Sequence, residues 1–132
     1  MRPFLLALCF IALMCQRTCC AENIGDADSF AKYLRIAKRY YNGDDISDRE
    51  DEFLLIEGSA FVTGIVHQSW FLDSKGYVLP YRMPDDFAVE KTVEVILKYL
   101  DAHPKEWNGL ALSIITEAFT EAYPNPDFKK AH

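Results

Sequence analysis

The stretch Phe53–Trp70, FLLIEGSAFVTGIVHQSW, has the pattern of a helix at the centre of a small helical domain. At about 100° per residue, its large apolar side chains fall on one broad arc, which is wide enough to form the wall of a core. The residues of this arc are Leu54, Leu55, Phe61, Val62, Ile65 and Val66, with Gly58 among them. We therefore predict that this helix is the element against which the others pack.

A strip of small residues, Ser59, Ala60, Thr63 and Gly64, runs beside that arc. A glycine inside a helix costs about 1 kcal/mol relative to alanine, but its missing Cβ lets another backbone approach closely. Gly58 and Gly64 therefore predict a neighbour pressed against each face of the helix. That neighbour is either another part of the same chain or a second copy of it, and the sequence leaves both alternatives open.

The N-terminal segment has the features of a signal peptide. The apolar run Phe4–Met14 is too short to cross a bilayer as a helix, which needs about 20 residues, and Thr18 to Ala21 offers small residues for cleavage after Ala21. We predict a signal peptide at residues 1–21 and one exported, soluble domain at residues 22–132.

Charge and cysteine content restrict what that domain can do. Two of the 14 basic residues lie before residue 22, so residues 22–132 carry 12 basic and 20 acidic residues, a net charge of −8. Such a chain is poorly suited to nucleic acid and well suited to a basic protein partner. All four cysteines also lie before residue 22, which excludes a thiol nucleophile or a disulfide from the domain.

Three further helices are predicted around the central one. The first begins at Asp26 or Asp28 and ends near Tyr41, with Gly43 in a left-handed conformation after it. The third is introduced by Asp85 and Asp86 and ends near Ala102, and the last runs from about Asn108 to Tyr123. The residues of the last helix predicted to face inward are Leu110, Ala111, Ile114, Ile115, Ala118, Phe119 and Ala122. Alternation with period two is absent, so the fold class is all-α, a compact bundle of four to five helices with little or no sheet.

The longest irregular segment is predicted at residues 67–84, and it is rich in aromatic residues. Long loops are usually functional or disordered, and this one is too aromatic for disorder. Its aromatic side chains either fold back as a lid on the core or form a projection that binds a partner.

The side chains for catalysis are scarce. A serine triad needs serine, histidine and a carboxylate in contact, and no Gly-x-Ser-x-Gly motif is present. The three histidines, His67, His103 and His132, lack the spacing of metal ligands. We therefore predict no enzyme activity, no cofactor and no metal.

Four motifs resemble one known family. They are Phe61–Val66 (FVTGIV), Pro84, Val93–Pro104 (VEVILKYLDAHP) and Glu117–Pro124 (EAFTEAYP). In order and spacing this pattern resembles the Rap/Tai family, the immunity proteins of type VI secretion amidase effectors. The resemblance implies an all-helical periplasmic protein, commonly a homodimer, that binds a peptidoglycan amidase injected by a sibling cell and blocks its active-site groove.

The chain departs from the family at two positions. The family commonly has a cysteine before the third helix and another after the final proline, and the resemblance implies a disulfide between them. Here these positions hold Arg82 and Asn125. Because both cysteines are missing together, no stray thiol is left.

If the chain is such an inhibitor, we expect the aromatic segment and the acids that flank it to contact the amidase. The predicted contact residues are Trp70, Phe71, Asp73, Tyr77, Tyr81, Asp85 and Asp86. The alternative function is a periplasmic helical chaperone or small-ligand carrier, with the aromatic segment as a hydrophobic gate.

Overall fold

A computed structural model of the chain describes residues 24–129, and the predicted signal peptide, its four cysteines and His132 lie outside the described residues. Residues 24–129 form four α-helices and one short 3₁₀ helix, and no strand. The helices are α1 (Ala27–Tyr41), α2 (Arg49–Ser74), α3 (Val89–Ala102), the 3₁₀ helix (Pro104–Asn108) and α4 (Ala111–Ala122). This architecture confirms the predicted all-α fold class. None of these helices has both the length and the apolar character needed to cross a bilayer.

Side-chain caps begin the first two helices. The Asp26 carboxylate accepts a hydrogen bond from the backbone N–H of Ser29 at 2.9 Å, and the Asp48 carboxylate accepts one from the N–H of Glu50 at 2.8 Å. Each cap satisfies an N–H that has no partner within its helix. Gly43, at φ +90°, takes the left-handed conformation predicted after α1.

Helix α3 has the most neighbours, since it contacts α1, α2, α4 and the 3₁₀ helix. Helix α1 packs against both α2 and α3. It supplies several of the most deeply buried side chains, among them Phe30, Tyr33, Leu34 and Ala37. Helix α4 packs mainly against α3. Helix α2 contacts both α1 and α3, but its face with Phe53, Ile56 and Gly64 is exposed. The prediction that the Phe53–Trp70 helix has a neighbour on each face is therefore wrong within the described chain. The buried residues of α2 are Leu54, Gly58, Val62, Ile65, Val66 and Ser69.

The two glycines of α2 differ in their surroundings. A Cβ at Gly58 would overlap the aromatic ring of Tyr33, whereas a Cβ at Gly64 would meet no atom within 4 Å. The predicted close approach is thus confirmed at Gly58, where α1 reaches α2. At Gly64 the prediction of a close neighbour is wrong for the described chain, because this position faces open space.

Several predicted boundaries are wrong. Helix α2 continues to Ser74, so the first part of the segment predicted to be irregular is helical. Between residues 65 and 75 there is no glycine or proline to end the helix. The next glycine is Gly76, which has φ +82°. Helix α3 begins at Val89, after the Asp85–Asp86 pair. Leu110 (66% exposed) and Ala122 do not face the core, because Leu110 precedes the first turn of α4 and Ala122 ends the last.

The Gly58–Tyr33 contact predicts a large effect of one methyl group. We expect Gly58→Ala to lower the free energy of unfolding by about 2 kcal/mol, since overpacking outweighs the gain in helix propensity. The matched control is Gly64→Ala, which should raise it by about 1 kcal/mol in dilute solution. Urea unfolding measures both, and a Gly58→Ala variant as stable as the parent would contradict the contact.

Tyr33 also predicts a pH dependence. Burial raises the pKa of Tyr33 to about 12, from an ordinary value of 10.0. The unfolded chain therefore releases this proton at a lower pH than the folded chain does. The stability contributed by neutral Tyr33 is complete below the unfolded pKa and is lost as the pH rises through the folded pKa.

We expect Tyr33 to account for a fall of about 2 kcal/mol in the free energy of unfolding between about pH 9 and about pH 12. The Tyr33→Phe variant has no proton to release there, so its fall should be smaller by that amount. Urea titrations at the two pH values measure the difference, and identical falls in the two proteins would show that Tyr33 is not responsible.

Candidate functional site

A cleft with a volume of about 420 Å³ lies where the end of α2 meets the segment before α3 and the chain after α4. Three aromatic residues and three prolines form much of its lining. The lining residues are Ser69, Trp70, Asp73, Leu79, Tyr81, Arg82, Met83, Pro84, Asp85, Tyr123, Pro124 and Pro126. The cleft therefore combines apolar walls with a few charged groups, which is the usual composition of a binding site.

Backbone hydrogen bonds fix two sides of this cleft. Residues 80–82 run antiparallel to residues 123–125, with a bridge between Tyr81 and Pro124. The N–H of Arg82 donates to the carbonyl of Tyr123 at 2.9 Å, and the N–H of Asn125 donates to the carbonyl of Pro80 at 3.1 Å. The Asn125 side chain adds a bond from Nδ2 to the Leu79 carbonyl at 2.9 Å. Two segments far apart in the sequence are thus joined into one rigid wall.

Tyr81 holds that wall to α2. It is buried, and its hydroxyl lies 3.0 Å from Oγ of Ser69. Because the Ser69 hydroxyl already donates to the carbonyl of Ile65 at 2.8 Å, Tyr81 is the donor of the pair. The Tyr81 ring also packs edge-on against Phe119, with centroids 5.3 Å apart. Tyr81 is therefore a fixed part of the cleft.

Trp70 forms the opposite wall and is half-buried. Its indole stacks on the His67 ring with centroids 5.5 Å apart, and the Phe87 ring meets it edge-on at 5.9 Å. The indole Nε1 is buried and has no hydrogen-bond partner among residues 24–129. Two aromatic neighbours thus hold Trp70 in place while one polar group of its ring remains unsatisfied.

The charged residues of the cleft are unevenly paired. Arg82 lies 3.3 Å from a carboxylate oxygen of Asp127. Asp73 and Asp85 line the cleft and form no ion pair with any residue in the described range. Asp86 lies beside the cleft, lines a neighbouring cavity and pairs with Lys91 at 3.2 Å.

Next to the cleft, the end of α2 and the turn after it form an exposed aromatic tip, which we define as residues 71–78. All residues from Asp73 to Val78 are exposed. Phe71 is 59% exposed, Tyr77 63% and Val78 52%. More than half of the surface of each of these side chains remains in contact with water after folding. That apolar surface can still be buried against another molecule, which is favourable.

The seven residues predicted from the sequence therefore fall into three groups. Trp70, Asp73, Tyr81 and Asp85 line the cleft. Phe71 and Tyr77 belong to the exposed tip. Asp86 lies outside both, at the neighbouring cavity. Whether any of them contacts a partner stays a prediction.

Sequence reasoning missed the residues that complete the cleft from the C-terminal side. These are Tyr123, Pro124 and Pro126. The only local signal was the position of the two prolines just after the last helix. Their approach to residues 80–82 is a tertiary contact that no local pattern encodes.

The histidines have structural partners where they are described. The imidazole of His103 stacks on the ring of Tyr99, and its Nδ1 lies 2.9 Å from the carbonyl of Tyr99. Its Nε2 lies 3.9 Å from a carboxylate oxygen of Glu121. Within residues 24–129, no three side chains of histidine, cysteine, aspartate or glutamate come together in a way that could hold a metal ion.

Comparison with known proteins finds no matching family model, no matching curated protein and no matching solved structure.

Proposed function

We propose that this chain is an immunity protein of the periplasm, which binds a peptidoglycan amidase delivered by type VI secretion and occludes its active-site groove. The exposed aromatic tip beside a preformed cleft is the observation that carries this proposal. An inhibitor of this kind needs a projection that enters a groove and a rigid surface around it that excludes water. It needs no reacting group of its own.

The energetics of the tip fit this role. Aromatic side chains bury a large area for few rotatable bonds, and they dominate the residues on which protein interfaces depend. Tyr77 offers such area just beyond a helix whose preceding turns are anchored in the core, and Phe71 lies in the last turn of that helix. The tip can therefore enter a groove without the cost of ordering a long flexible loop.

The arrangement around Arg82 and Asn125 supports the resemblance on which the proposal also draws. The family pattern implies that these two positions are joined by a disulfide. Residues 80–82 and 123–125 lie side by side in this chain, held by two backbone hydrogen bonds and by the Asn125 side chain. The ion pair between Arg82 and Asp127 adds a further link between the two segments. Hydrogen bonds thus occupy the place where the family would have a covalent bridge.

The alternative function, a chaperone or carrier of small apolar ligands, has less support. Such a carrier encloses its ligand in a mainly apolar cavity. The cleft instead has Asp73, Arg82 and Asp85 in its lining, and the exposed large apolar side chains of the tip, Phe71, Tyr77 and Val78, lie outside it. A surface of this kind fits a protein with charged groups better than a buried hydrocarbon.

The tip yields a direct test against purified peptidoglycan amidases of type VI secretion. We expect a nanomolar complex that abolishes hydrolysis of peptidoglycan, and we expect Tyr77→Ala to weaken it about thirtyfold, or ~2 kcal/mol. Tyr40→Ala is the matched control, since Tyr40 is 51% exposed and lies at the end of α1. Calorimetry and an activity assay measure both. An unaltered affinity of the Tyr77 variant would remove the tip from the interface, and a parent chain that inhibits no such amidase would refute the proposed function.

We also propose that the chain forms a homodimer through the exposed face of α2. Along this face lie Phe53 (60% exposed), Ile56 (68%), Ala60, Gly64 and Phe71 (59%), with small residues at its middle and large ones at its ends. Gly64 costs the helix about 1 kcal/mol, and nothing in the described chain approaches it. A second helix backbone crossing at Ala60 and Gly64 would explain that cost.

The exposed face of α2 is also complementary to itself. If a second copy lies antiparallel, with the two-fold axis at the level of Val62, Phe53 of each chain meets Phe71 of the other and Ala60 meets Gly64. The same register sets Glu57 opposite His67, an acid opposite a base. Phe53 and Phe71 are about 27 Å apart along the helix, so the dimer would display one tip at each end. Self-complementarity of this kind is what a two-fold interface requires.

A charge exchange tests this register. We expect a dimer for the parent chain, and monomers for Phe53→Lys alone and for Phe71→Glu alone, because each buries an unpaired charge at the interface. An equimolar mixture of the two variants should form a heterodimer, in which the new lysine and glutamate face each other. Leu112→Lys, at a residue 57% exposed on α4, is the control and should remain dimeric. Sedimentation equilibrium measures the oligomeric state of all five samples, and a parent chain that stays monomeric would refute the dimer.

A further inference from the structure

Two carboxylates that line the cleft form no ion pair with any of residues 24–129. In the described range, Arg39 approaches Asp44 and Asp51, while Asp86 and Asp127 each have one basic partner. Asp73 and Asp85 have none, although both line the same cleft. Among the described residues that line the cleft, Arg82 is the only basic one, and its guanidinium pairs with Asp127 at 3.3 Å. The lining therefore gives Asp73 and Asp85 no basic partner.

Aromatic rings lie in the same lining as these carboxylates. Trp70 and Tyr123 are both half-buried, so part of each side chain remains accessible. The face of an aromatic ring attracts a cation, tryptophan most strongly. Carboxylates and aromatic faces in one cleft therefore favour a positively charged ligand, and an anion would be repelled by both.

We propose that this cleft receives an arginine side chain of the partner protein. The inference rests on the proposed function, because it names the group that the same surface recognises. A guanidinium is planar, stacks on aromatic rings and can donate two parallel hydrogen bonds to a carboxylate. Arginine therefore matches both features of the lining, whereas the compact ammonium of lysine matches mainly the charge.

The cleft is rigid enough to favour such a ligand. Pro84, Pro124 and Pro126 fix the backbone in its lining, and hydrogen bonds join residues 80–82 to 123–125. A preformed site loses little conformational entropy when it binds. Its volume of about 420 Å³ exceeds the space that a guanidinium fills, so residues on either side of the arginine also fit.

The test uses a small probe and the intact chain. The probe is the tripeptide acetyl-Ala-Arg-Ala-amide, and its matched control carries citrulline, which has the same shape without the charge. The readout is the indole N–H resonance of Trp70 in ¹⁵N-labelled protein. The only other tryptophan, Trp107, has Arg35 over its ring at 5.7 Å and serves as internal reference.

We expect the arginine peptide to shift the Trp70 resonance, but not that of Trp107, with millimolar affinity, and the citrulline peptide to bind about tenfold more weakly. Asp73→Asn and Asp85→Asn should each weaken binding about threefold. Asp51→Asn, which removes a charge 3.9 Å from Arg39 and outside the cleft lining, should leave the affinity unchanged.

Equal binding of the two peptides, or an arginine peptide that moves neither resonance, would overturn the inference. So would a loss of affinity in Asp51→Asn as large as that in Asp85→Asn. These outcomes are separable from the fate of the proposed function. A chain that silences its amidase but ignores arginine contradicts only the arginine cleft, and one that binds the arginine peptide but inhibits no amidase contradicts only the immunity function.

Discussion

The contact between Gly58 and the ring of Tyr33 is the constraint on which the arrangement of the bundle depends. Tyr33 of α1 is fully buried, and its ring fills the space that a side chain at position 58 would need. This contact sets how closely α1 and α2 approach, and it determines which face of α2 is buried. The opposite face and the C-terminal end of α2 are then left in solvent. The first is the proposed dimer interface, and the second carries the tip proposed to bind the amidase.

The cleft depends on a second constraint, the pairing of residues 80–82 with residues 123–125. Without it, the segment between α2 and α3 would have no fixed position, since it has no helix or strand of its own. Tyr81 extends the constraint to α2 through Ser69 and to α4 through Phe119. Three elements distant in the sequence therefore meet at one residue, and the tip stands beside a surface that cannot easily deform.

Periodicity predicted the fold well because burial is a local signal for helices. The apolar arc of α2 and the inward residues predicted between 111 and 119 of α4 occupy the positions that their spacing indicates. The site was predicted only in part. Trp70, Phe71 and Tyr77 stand out by residue type, but nothing local indicates that Tyr81 is buried against Ser69. Tyr123, Pro124 and Pro126 line the cleft only because residues 123–125 pair with residues 80–82, and a contact between such distant segments cannot be predicted from the local sequence of either one.

The exposed face of α2 also explains an error in that reading. The sequence predicted a neighbour on both faces from the two glycines, and one chain supplies a neighbour only at Gly58. Gly64 lowers helix stability and makes no close contact within the described chain. Such a glycine indicates either a loss of stability that the fold tolerates or a contact with another molecule. The presence of Phe53, Ile56 and Phe71 on the same exposed face favours the second explanation, because three large apolar side chains in solvent are also costly to keep. One backbone register satisfies both the glycine and the aromatic ends, and this agreement between independent residues is the strongest reason to regard α2 as an interface helix.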